Sequence, residues 1–368
     1  MNKLNIAWSS PNIGNEEKKA VLRIMDSGWL SQGPETQSFE KELGAFVGNK
    51  YCVVVNNGTS ALIASLLAHG IGKGDEVIVP AHTFIASVNS ILAVGAKPVL
   101  ADVDPLTWNL TPNLAKRYIT KKTKAVLPVN VAGMPVDIYG FQDLARKKKI
   151  TLIVDSAESF GGEYNSHLIG DSHFEHTCIF SFHTAKQLST IEGGCIFTDN
   201  PEVYERCRMI RDHGMKGRYN FVTFGLNFRT TDIQSAIGRE QLRKVPKALK
   251  HRARCVDLYK EYLKDYFDYQ SIPAYVTKHP HLFFGILTRL FGTSGNKRDT
   301  LLAALDRAGI NTRLCWPYIL DQPFHKKLFK GEYPVSRNLS ERIITLPLSN
   351  TIPFEDIKKV CDAINEVV

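Results

Sequence analysis

The sequence lacks the features that mark a membrane-bound or secreted protein. None of its runs approaches the roughly 18 to 20 consecutive apolar residues that a membrane span needs. The first residues, MNKLNIAWSSPNIG, have no apolar core of the kind found in signal peptides. Low-complexity segments and internal repeats are also missing. We therefore expect a folded cytoplasmic protein with no membrane partner.

Cysteine is sparse and irregularly spaced. The seven cysteines are odd in number and never form a Cys-x-x-Cys pair, so the sequence predicts neither a disulfide framework nor a structural zinc site. His279 and His281 form a His-x-His pair without a nearby carboxylate or thiol. We expect no metal there.

The chain is basic, with a formal net charge of +9. A positive field attracts nucleic acid and phosphate-rich small ligands alike, so composition alone does not choose between them. The basic runs at 121–122 and 147–149 lack the interleaved aromatic residues of a base-stacking surface. We interpret them as solvated faces and expect no nucleic-acid partner.

Between residues 52 and 198, short apolar or β-branched runs alternate with segments of helical spacing. The seven runs are 52–56, 76–80, 98–103, 125–131, 150–155, 178–182 and 194–198, and helical spacing occurs at 60–69, 84–94 and 138–149. This alternation predicts an α/β fold with a mostly parallel, buried, seven-stranded sheet sandwiched by helices.

The pattern changes at residue 232. A pair of helices is expected over 232–245 and 251–267, and the remainder mixes short strands with helices at 296–308 and 353–367. We predict a large domain over residues 1–245, which includes the N-terminal segment. A connector helix and a small α+β domain over 246–368 would close over it.

Two candidate site residues follow predicted strands. The run at 150–154 ends in Asp155, and ligands of open α/β sheets bind beyond the carboxyl ends of the strands. Asp155 also fits the N-cap of a following helix. Lys186 lies between the predicted strands at 178–182 and 194–198. A lone lysine is usually a surface charge, which is the alternative interpretation of this residue. Each residue taken alone leaves both interpretations open.

A phosphate cup is predicted at a strand-to-helix junction. Gly58 lets the backbone approach a ligand, and the helix N-terminus with Thr59 and Ser60 attracts a dianion. An ordinary capped helix explains these residues equally well. Phe84, after another strand, offers a ring for stacking, with a core position as its alternative.

An amine, a carboxylate and a phosphate cup are the parts that pyridoxal-phosphate (PLP) chemistry needs. The amine forms an imine, and the carboxylate keeps the pyridine nitrogen protonated so that the ring acts as an electron sink. We therefore predict that Lys186 carries PLP as a Schiff base and that Asp155 holds the pyridine nitrogen.

Ordered motifs over nearly the whole chain carry a family resemblance. They include NNGTSAL, GKGDEVIVPAHTF, IVDSAES, SFHTAKQLSTIEGG and GLNFRTTDIQSAIG. In these motifs the sequence resembles the DegT/StrS family of nucleotide-sugar aminotransferases, which belong to the fold-type I PLP enzymes of the aspartate aminotransferase superfamily.

The resemblance implies a role for each matching position around the cofactor ring. Lys186 would bind the cofactor and shuttle protons, Asp155 would pair with the pyridine nitrogen, and Phe84 would stack on the ring. Glu158 falls where family members carry Gln, His or Glu near the phenolic oxygen.

The resemblance also implies how the phosphate is held. Gly58, Thr59, Ser60 and Ser181 would bind it from one chain. Asn227 matches a residue that reaches the phosphate from the neighbouring subunit, which implies a homodimer with shared active sites.

The implied reaction is a transamination in two halves. Glutamate is the expected donor, which converts PLP to pyridoxamine phosphate (PMP), and a nucleotide-diphospho keto-deoxysugar is the acceptor, as in amino sugar biosynthesis. Its diphosphate fits the positive charge. The candidate substrate-binding residues are Trp29, His183, Arg229 and Arg313. A purely structural role is the alternative for each of them.

Two positions depart from the family pattern. Ile191 stands where a glycine commonly precedes Glu-Gly-Gly, and Leu320 stands where a histidine often lies. A PLP-dependent dehydratase or epimerase and a non-catalytic regulatory relative are the alternatives to a transaminase. The intact Lys186 argues for transamination.

Overall fold

The computed structural model describes residues 4–263, 267–288 and 296–367. Its strands are β1 (Cys52–Val55), β2 (Glu76–Pro80), β3 (Lys97–Ala101), β4 (Thr123–Val126), β5 (Thr151–Asp155), β6 (Glu163–Tyr164), β7 (His167–Leu168), β8 (Thr177–Ser181), β9 (Gly194–Thr198), β10 (Phe267–Asp268), β11 (Val276–Lys278), β12 (Phe284–Thr288) and β13 (Ile343–Leu346).

The helices fall between and after these strands. They are α1 (Asn15–Ser27), α2 (Pro34–Val47), α3 (Gly58–Ala68), α4 (Ile85–Ala93), α5 (Pro112–Lys116), α6 (Ile138–Lys148), α7 (Pro201–Arg211), α8 (Asp232–Tyr262), α9 (Asn296–Ala308), α10 (His325–Leu328), α11 (Pro334–Arg342) and α12 (Phe354–Asn365), with 3₁₀ turns at Val131–Gly133 and Ile319–Asp321. Among the described residues, no helix is both long and apolar enough to span a membrane.

The central sheet confirms the predicted fold class. Its seven strands lie in the order β1-β9-β8-β5-β4-β2-β3. The pairs β3/β2, β2/β4, β4/β5 and β5/β8 are parallel, and only β9 pairs antiparallel with both of its neighbours. The carboxyl ends of β2, β5 and β8 therefore open at one edge of the sheet, where α/β proteins bind ligands.

Both faces of the sheet are buried. Successive side chains of a strand point to opposite faces, so Val53 and Val55 pack into one core and Cys52 and Val54 into the other. Because helices cover each face, the strands of this sheet are almost wholly apolar runs, as expected of a parallel sheet.

The predicted helix pair after residue 232 is wrong. Helix α8 is one continuous helix of 31 residues that includes Pro246. Proline removes a helical hydrogen bond and normally breaks or kinks a helix. Buried side chains continue on both sides of it, including Leu242, Val245, Ala248 and Leu249, so tertiary packing holds the helix together. The proposed domain limit at 245 and 246 lies inside this helix.

The C-terminal part has its own sheet and core. Strand β12 pairs antiparallel with β10 and β13, and the adjoining core includes residues of α8, α9 and α12. The N-terminal segment joins this part, since the backbone N–H of Ile6 donates to Gly309 O and that of Leu348 to Trp8 O. These two bonds fix Trp8 at the edge of the C-terminal part.

A buried carboxylate ties α8 to α2. Asp232 Oδ1 accepts from Gly33 N at 2.8 Å, Thr36 N at 3.0 Å and Thr36 Oγ1 at 2.7 Å, and its Oδ2 accepts from Glu35 N at 3.1 Å. These N–H groups lie at the start of α2. The N–H groups of a helix's first turn have no acceptor within the helix itself. Asp232 thus caps one helix from the start of another.

We predict that Asp232→Ala lowers the free energy of unfolding by about 2–4 kcal/mol, because buried N–H groups lose their acceptor. Urea unfolding followed by circular dichroism measures the change. Asp143→Ala is the matched control, since Asp143 is an exposed partner of Arg146 and such pairs contribute less than about 1 kcal/mol. Equal unfolding midpoints for the two variants would show that Asp232 does not stabilise the fold in this way.

Candidate active site

A cavity of about 370 Å³ lies beyond the carboxyl ends of β2, β5 and β8. The loops after these strands form its floor. Residues 313–316 of the C-terminal part line it from the other side, together with Trp8 of the N-terminal segment. The cavity therefore lies where the two parts of the chain meet.

Asp155 is the last residue of β5 and is buried in this cavity. Its Oδ2 accepts from Ser87 Oγ at 2.7 Å, and its Oδ1 accepts from Ala157 N at 3.1 Å. Burial raises the pKa of the Asp155 carboxyl, and these two hydrogen bonds oppose that shift. No helix begins in the turns at 156–162, so Asp155 is not a helix N-cap, although its hydrogen bond from Ala157 N caps the turn that follows β5.

Lys186 lies in the same cavity, with 13% of its side chain exposed. Its Nζ is 3.4 Å from Oε1 of Glu158, whose side chain is 5% exposed. Glu158 Oε2 accepts from the backbone N–H of Ala132 at 2.9 Å. Burial raises the pKa of Glu158, while the positive charge of Lys186 acts to lower it. The interpretation of Lys186 as a free surface charge is wrong, because little of its side chain is exposed and its Nζ lies beside the buried Glu158 carboxylate.

The predicted phosphate cup is a tight junction between β1 and α3. Asn57 caps α3 by accepting at Oδ1 from Ser60 N at 2.8 Å. A Cβ on Gly58 would lie 3.0 Å from Ser181 Cβ, and a Cβ on Gly194 would lie 2.8 Å from Asn57 O. Only glycine leaves room for this approach. The N-terminus of α3 thus faces the cavity with its partial positive charge.

The cup residues differ in how they meet the cavity. Gly58, Thr59 and Ser181 line it directly. Ser60 is buried beneath them, with its N–H bound to Asn57. Asn57 is not among the predicted site residues, although Asn before Gly-Thr-Ser is a recognisable N-cap.

Three aromatic side chains, Phe84, Trp316 and Trp8, line the cavity. Phe84 is 51% exposed and lines the cavity, so it is not a core residue. Its ring centroid lies 4.9 Å from that of Trp316. Sequence reasoning missed Trp316 and Trp8, because their positions depend on how distant segments pack together.

The four candidate substrate residues separate into two groups. His183 and Arg313 line the cavity. Trp29 lies elsewhere with its Nε1 bound to Gln32 O, and Arg229 is paired with Asp212. Neither of these two residues lines the cavity of its own chain.

Ile191 and Leu320, the two positions that depart from the family pattern, have defined places in the structure. Ile191 adopts a φ of 73°, a left-handed conformation that glycine takes without strain. Leu320 is buried in the apolar core.

The described side chains fit a PLP group. Asp155 would supply a buried carboxylate for the pyridine nitrogen, and Lys186 would supply an amine for the aldehyde. The cradle between Gly58, Ser181 and the start of α3 suits a phosphate. The fold and the site define an α/β PLP-dependent transferase.

Comparison with known proteins gives the family. Residues 11–365 match the model of the DegT/DnrJ/EryC1/StrS aminotransferase family, and the chain belongs to that family. The match covers nearly the whole chain, as the motif resemblance does.

Solved structures of similar proteins share the whole fold. DesV of S. venezuelae, in complex with a ketimine intermediate, is 30% identical with a TM-score of 0.90 over 95% of this chain and 94% of DesV. Helicobacter pylori PseC, an aminotransferase involved in the biosynthesis of pseudoaminic acid, is 27% identical with a TM-score of 0.92 over 99% of each chain.

A third similar structure bears on the cofactor. Spr1654 of Streptococcus pneumoniae, assigned as a sugar aminotransferase, is 28% identical in its PMP form, with a TM-score of 0.93 over 99% of this chain and 98% of Spr1654. The same protein has a solved PLP form. The predicted enzyme class, a PLP-dependent sugar aminotransferase, is confirmed, and so is the predicted cofactor.

We predict that Lys186→Ala abolishes covalent retention of the cofactor, because no other amine lines the described cavity. After incubation with PLP and borohydride, intact-mass spectrometry should find one added cofactor on the wild-type chain and none on the variant. Lys147→Ala, which removes an exposed lysine, should behave as the wild type. A reduced adduct on the Lys186→Ala chain would show that the attachment site is elsewhere.

Proposed function

We propose that the enzyme transfers an amino group from L-glutamate to the keto group of a nucleotide-diphospho deoxysugar. The observation that carries this proposal is the presence, in one cavity, of Lys186 and of Arg313, a cation that has no ion pair among the described residues. The assignment of Spr1654 as a sugar aminotransferase and the involvement of the aminotransferase PseC in pseudoaminic acid biosynthesis support a sugar acceptor.

Lys186 and Asp155 would divide the proton chemistry. When bound, PLP supplies an electron sink that acidifies the C–H bond beside the donor's amino group. Lys186 Nζ, freed from the cofactor, holds the proton that leaves this carbon and moves it to its new position. Asp155, which accepts from Ser87 and Ala157, keeps a proton on the pyridine nitrogen.

The opposite side of the cavity would hold the substrate. Arg313 donates from Nη1 to Thr312 O at 2.9 Å, and its other donors have no hydrogen-bond partner among the described residues. The buried Nε1 atoms of Trp8 and Trp316 have no acceptor among the described residues. A buried donor without an acceptor costs about 1–3 kcal/mol. A diphosphate and sugar hydroxyl groups would supply the missing oxygens.

A dehydratase or epimerase stays the alternative within the family. The intact Lys186 favours transamination, because amine transfer at the cofactor needs a group that moves a proton from one carbon to another. Lys186 supplies that group. The predicted cytoplasmic location and the domain limits at 245 and 246 stay predictions.

We predict that the PLP-loaded enzyme aminates a nucleotide-linked keto sugar in the presence of glutamate and scarcely reacts with the same sugar without its nucleotide. Arg313→Ala should raise KM for the nucleotide sugar about 10- to 100-fold, the loss expected for a charge-assisted hydrogen bond. Arg146→Ala, which removes an exposed arginine side chain on α6, is the matched control. Mass spectrometry of the sugar products measures the reaction.

Three results would contradict this proposal. Loss of water without gain of an amino group would indicate a dehydratase, and an isomeric product of unchanged mass would indicate an epimerase. An unchanged KM in Arg313→Ala would remove Arg313 from the substrate site.

We also propose that the enzyme is a homodimer with shared active sites. Asn227 is exposed and does not line the cavity of its own chain. Four large apolar side chains that precede it in sequence are more than half exposed, namely Tyr219, Phe221, Val222 and Phe224. Such an apolar patch is typical of a protein contact. A second copy of the chain would cover it and present Asn227 to the neighbouring phosphate.

Mixed dimers test the shared site. Lys186→Ala should be inactive, and Asn227→Ala should retain PLP poorly. If Asn227 acts across the interface, mixing and reassembling the two variants restores one intact site in each hybrid dimer, so activity at limiting PLP should rise to about a quarter of the wild-type value. Activity that never exceeds the mean of the separate variants would place Asn227 outside the neighbouring site.

A further inference from the structure

We propose that Arg252 is a positioning residue for the reaction, which holds the segment that carries Lys186 in place from outside the cavity. It acts through Asn350, whose side chain lies between Arg252 and that segment. The inference rests on the proposed function, in which Lys186 Nζ moves the proton.

Arg252 is a buried cation that does not line the cavity. It lies on α8 and is 1% exposed. Burial lowers the pKa of Arg252 to about 10, so the guanidinium keeps its charge at neutral pH. No carboxylate of the described residues pairs with it. A buried charge without a counterion is costly, so stability alone does not explain an arginine at this position.

The guanidinium connects two segments to α8 through neutral oxygens. Its Nε donates to Asn350 Oδ1 at 2.6 Å, and its Nη1 donates to the carbonyl oxygens of His281 and Leu282 at 3.1 Å and 2.8 Å. Asn350 follows β13, and residues 281–282 precede β12. A planar guanidinium presents its donors in fixed directions, so these acceptors are held in one arrangement.

The contact with Asn350 leads to the segment that carries Lys186. Asn350 Nδ2 donates at 3.0 Å to the backbone carbonyl of Gln187, the residue that follows Lys186 and is 1% exposed. Because Arg252 can only donate, it turns the amide oxygen of Asn350 toward itself and the amide nitrogen toward Gln187. The place of the backbone beside Lys186 therefore depends on Arg252.

The contact with Leu282 leads to the wall of the cavity. Leu282 lines the cavity, and its N–H donates to Ala132 O at 3.0 Å in the 3₁₀ turn Val131–Gly133. Arg252 thus fixes this wall and the Lys186 segment relative to each other. A displacement of about 1 Å at a reacting group can slow a reaction about 100-fold.

Asn350→Asp separates positioning from stability. The variant keeps an oxygen for Arg252, which gains a counterion, but it loses the N–H that Gln187 O accepts. We predict an unchanged or higher melting temperature and a rate of 2-oxoglutarate formation from glutamate that falls about 10- to 100-fold, with KM for glutamate near the wild-type value. Thermal unfolding and rapid-quench kinetics of the PLP-loaded proteins measure these quantities.

Hydrogen–deuterium exchange of the cofactor-free protein gives a readout that does not depend on activity. In Asn350→Asp, peptides that cover residues 183–191 should exchange faster, while the rest of the chain exchanges as in the wild type. Arg252→Lys keeps the charge but replaces the guanidinium fork with a single nitrogen, so it should give the same local change.

Asn338→Asp is the matched control, because Asn338 Oδ1 also accepts from an arginine, Arg342, at 3.1 Å but lies on α11. It should leave the rate and the exchange over residues 183–191 unchanged. A wild-type rate in Asn350→Asp, or unchanged exchange over residues 183–191, would overturn the role of Arg252. A slower rate with faster exchange over the whole chain would also overturn it, because it would show a role in stability alone.

Failure of the proposed function gives a different result. Wild-type enzyme that forms no 2-oxoglutarate from glutamate would contradict the transamination itself. The exchange measurement would still decide whether Arg252 and Asn350 hold the segment that carries Lys186.

Discussion

Three ionisable side chains, Asp155, Glu158 and Lys186, share one buried cavity, and the rest of the structure depends on keeping them there. A buried charge is costly unless it is paired or hydrogen-bonded. Asp155 accepts hydrogen bonds from Ser87 and from the backbone of Ala157, and Glu158 accepts one from the backbone of Ala132. These donors come from separate segments, so the site exists only when the sheet and its loops are assembled.

The order of the strands makes that assembly possible. Strand β5 lies between β4 and β8, and β2 lies beyond β4. Ser87, on the helix after β2, therefore reaches the end of β5, and Lys186 enters from the loop after β8. The absence of a side chain at Gly58 and Gly194 lets the start of α3 close against the same edge. A parallel sheet thus concentrates polar groups at one end while its apolar faces remain covered.

Much of this arrangement could be predicted from the sequence, because it depends on local sequence patterns. The buried runs gave the seven strands, and the residues after them gave Asp155, Lys186 and the cup at Gly58. The continuity of α8 through Pro246 could not be predicted, since packing on both sides overrides the usual effect of proline. Trp8 and Trp316 were missed for a related reason, because only tertiary packing brings them to the cavity.

The most direct test of the account is a single half-reaction. The PLP-loaded enzyme is mixed with L-glutamate in the absence of any keto acceptor, and the 2-oxoglutarate formed is measured per Lys186. We predict one equivalent of 2-oxoglutarate, with conversion of the bound cofactor to its PMP form and no further product until a nucleotide-linked keto sugar is added. Continued release of 2-oxoglutarate without an acceptor, or none at all from fully loaded enzyme, would contradict it.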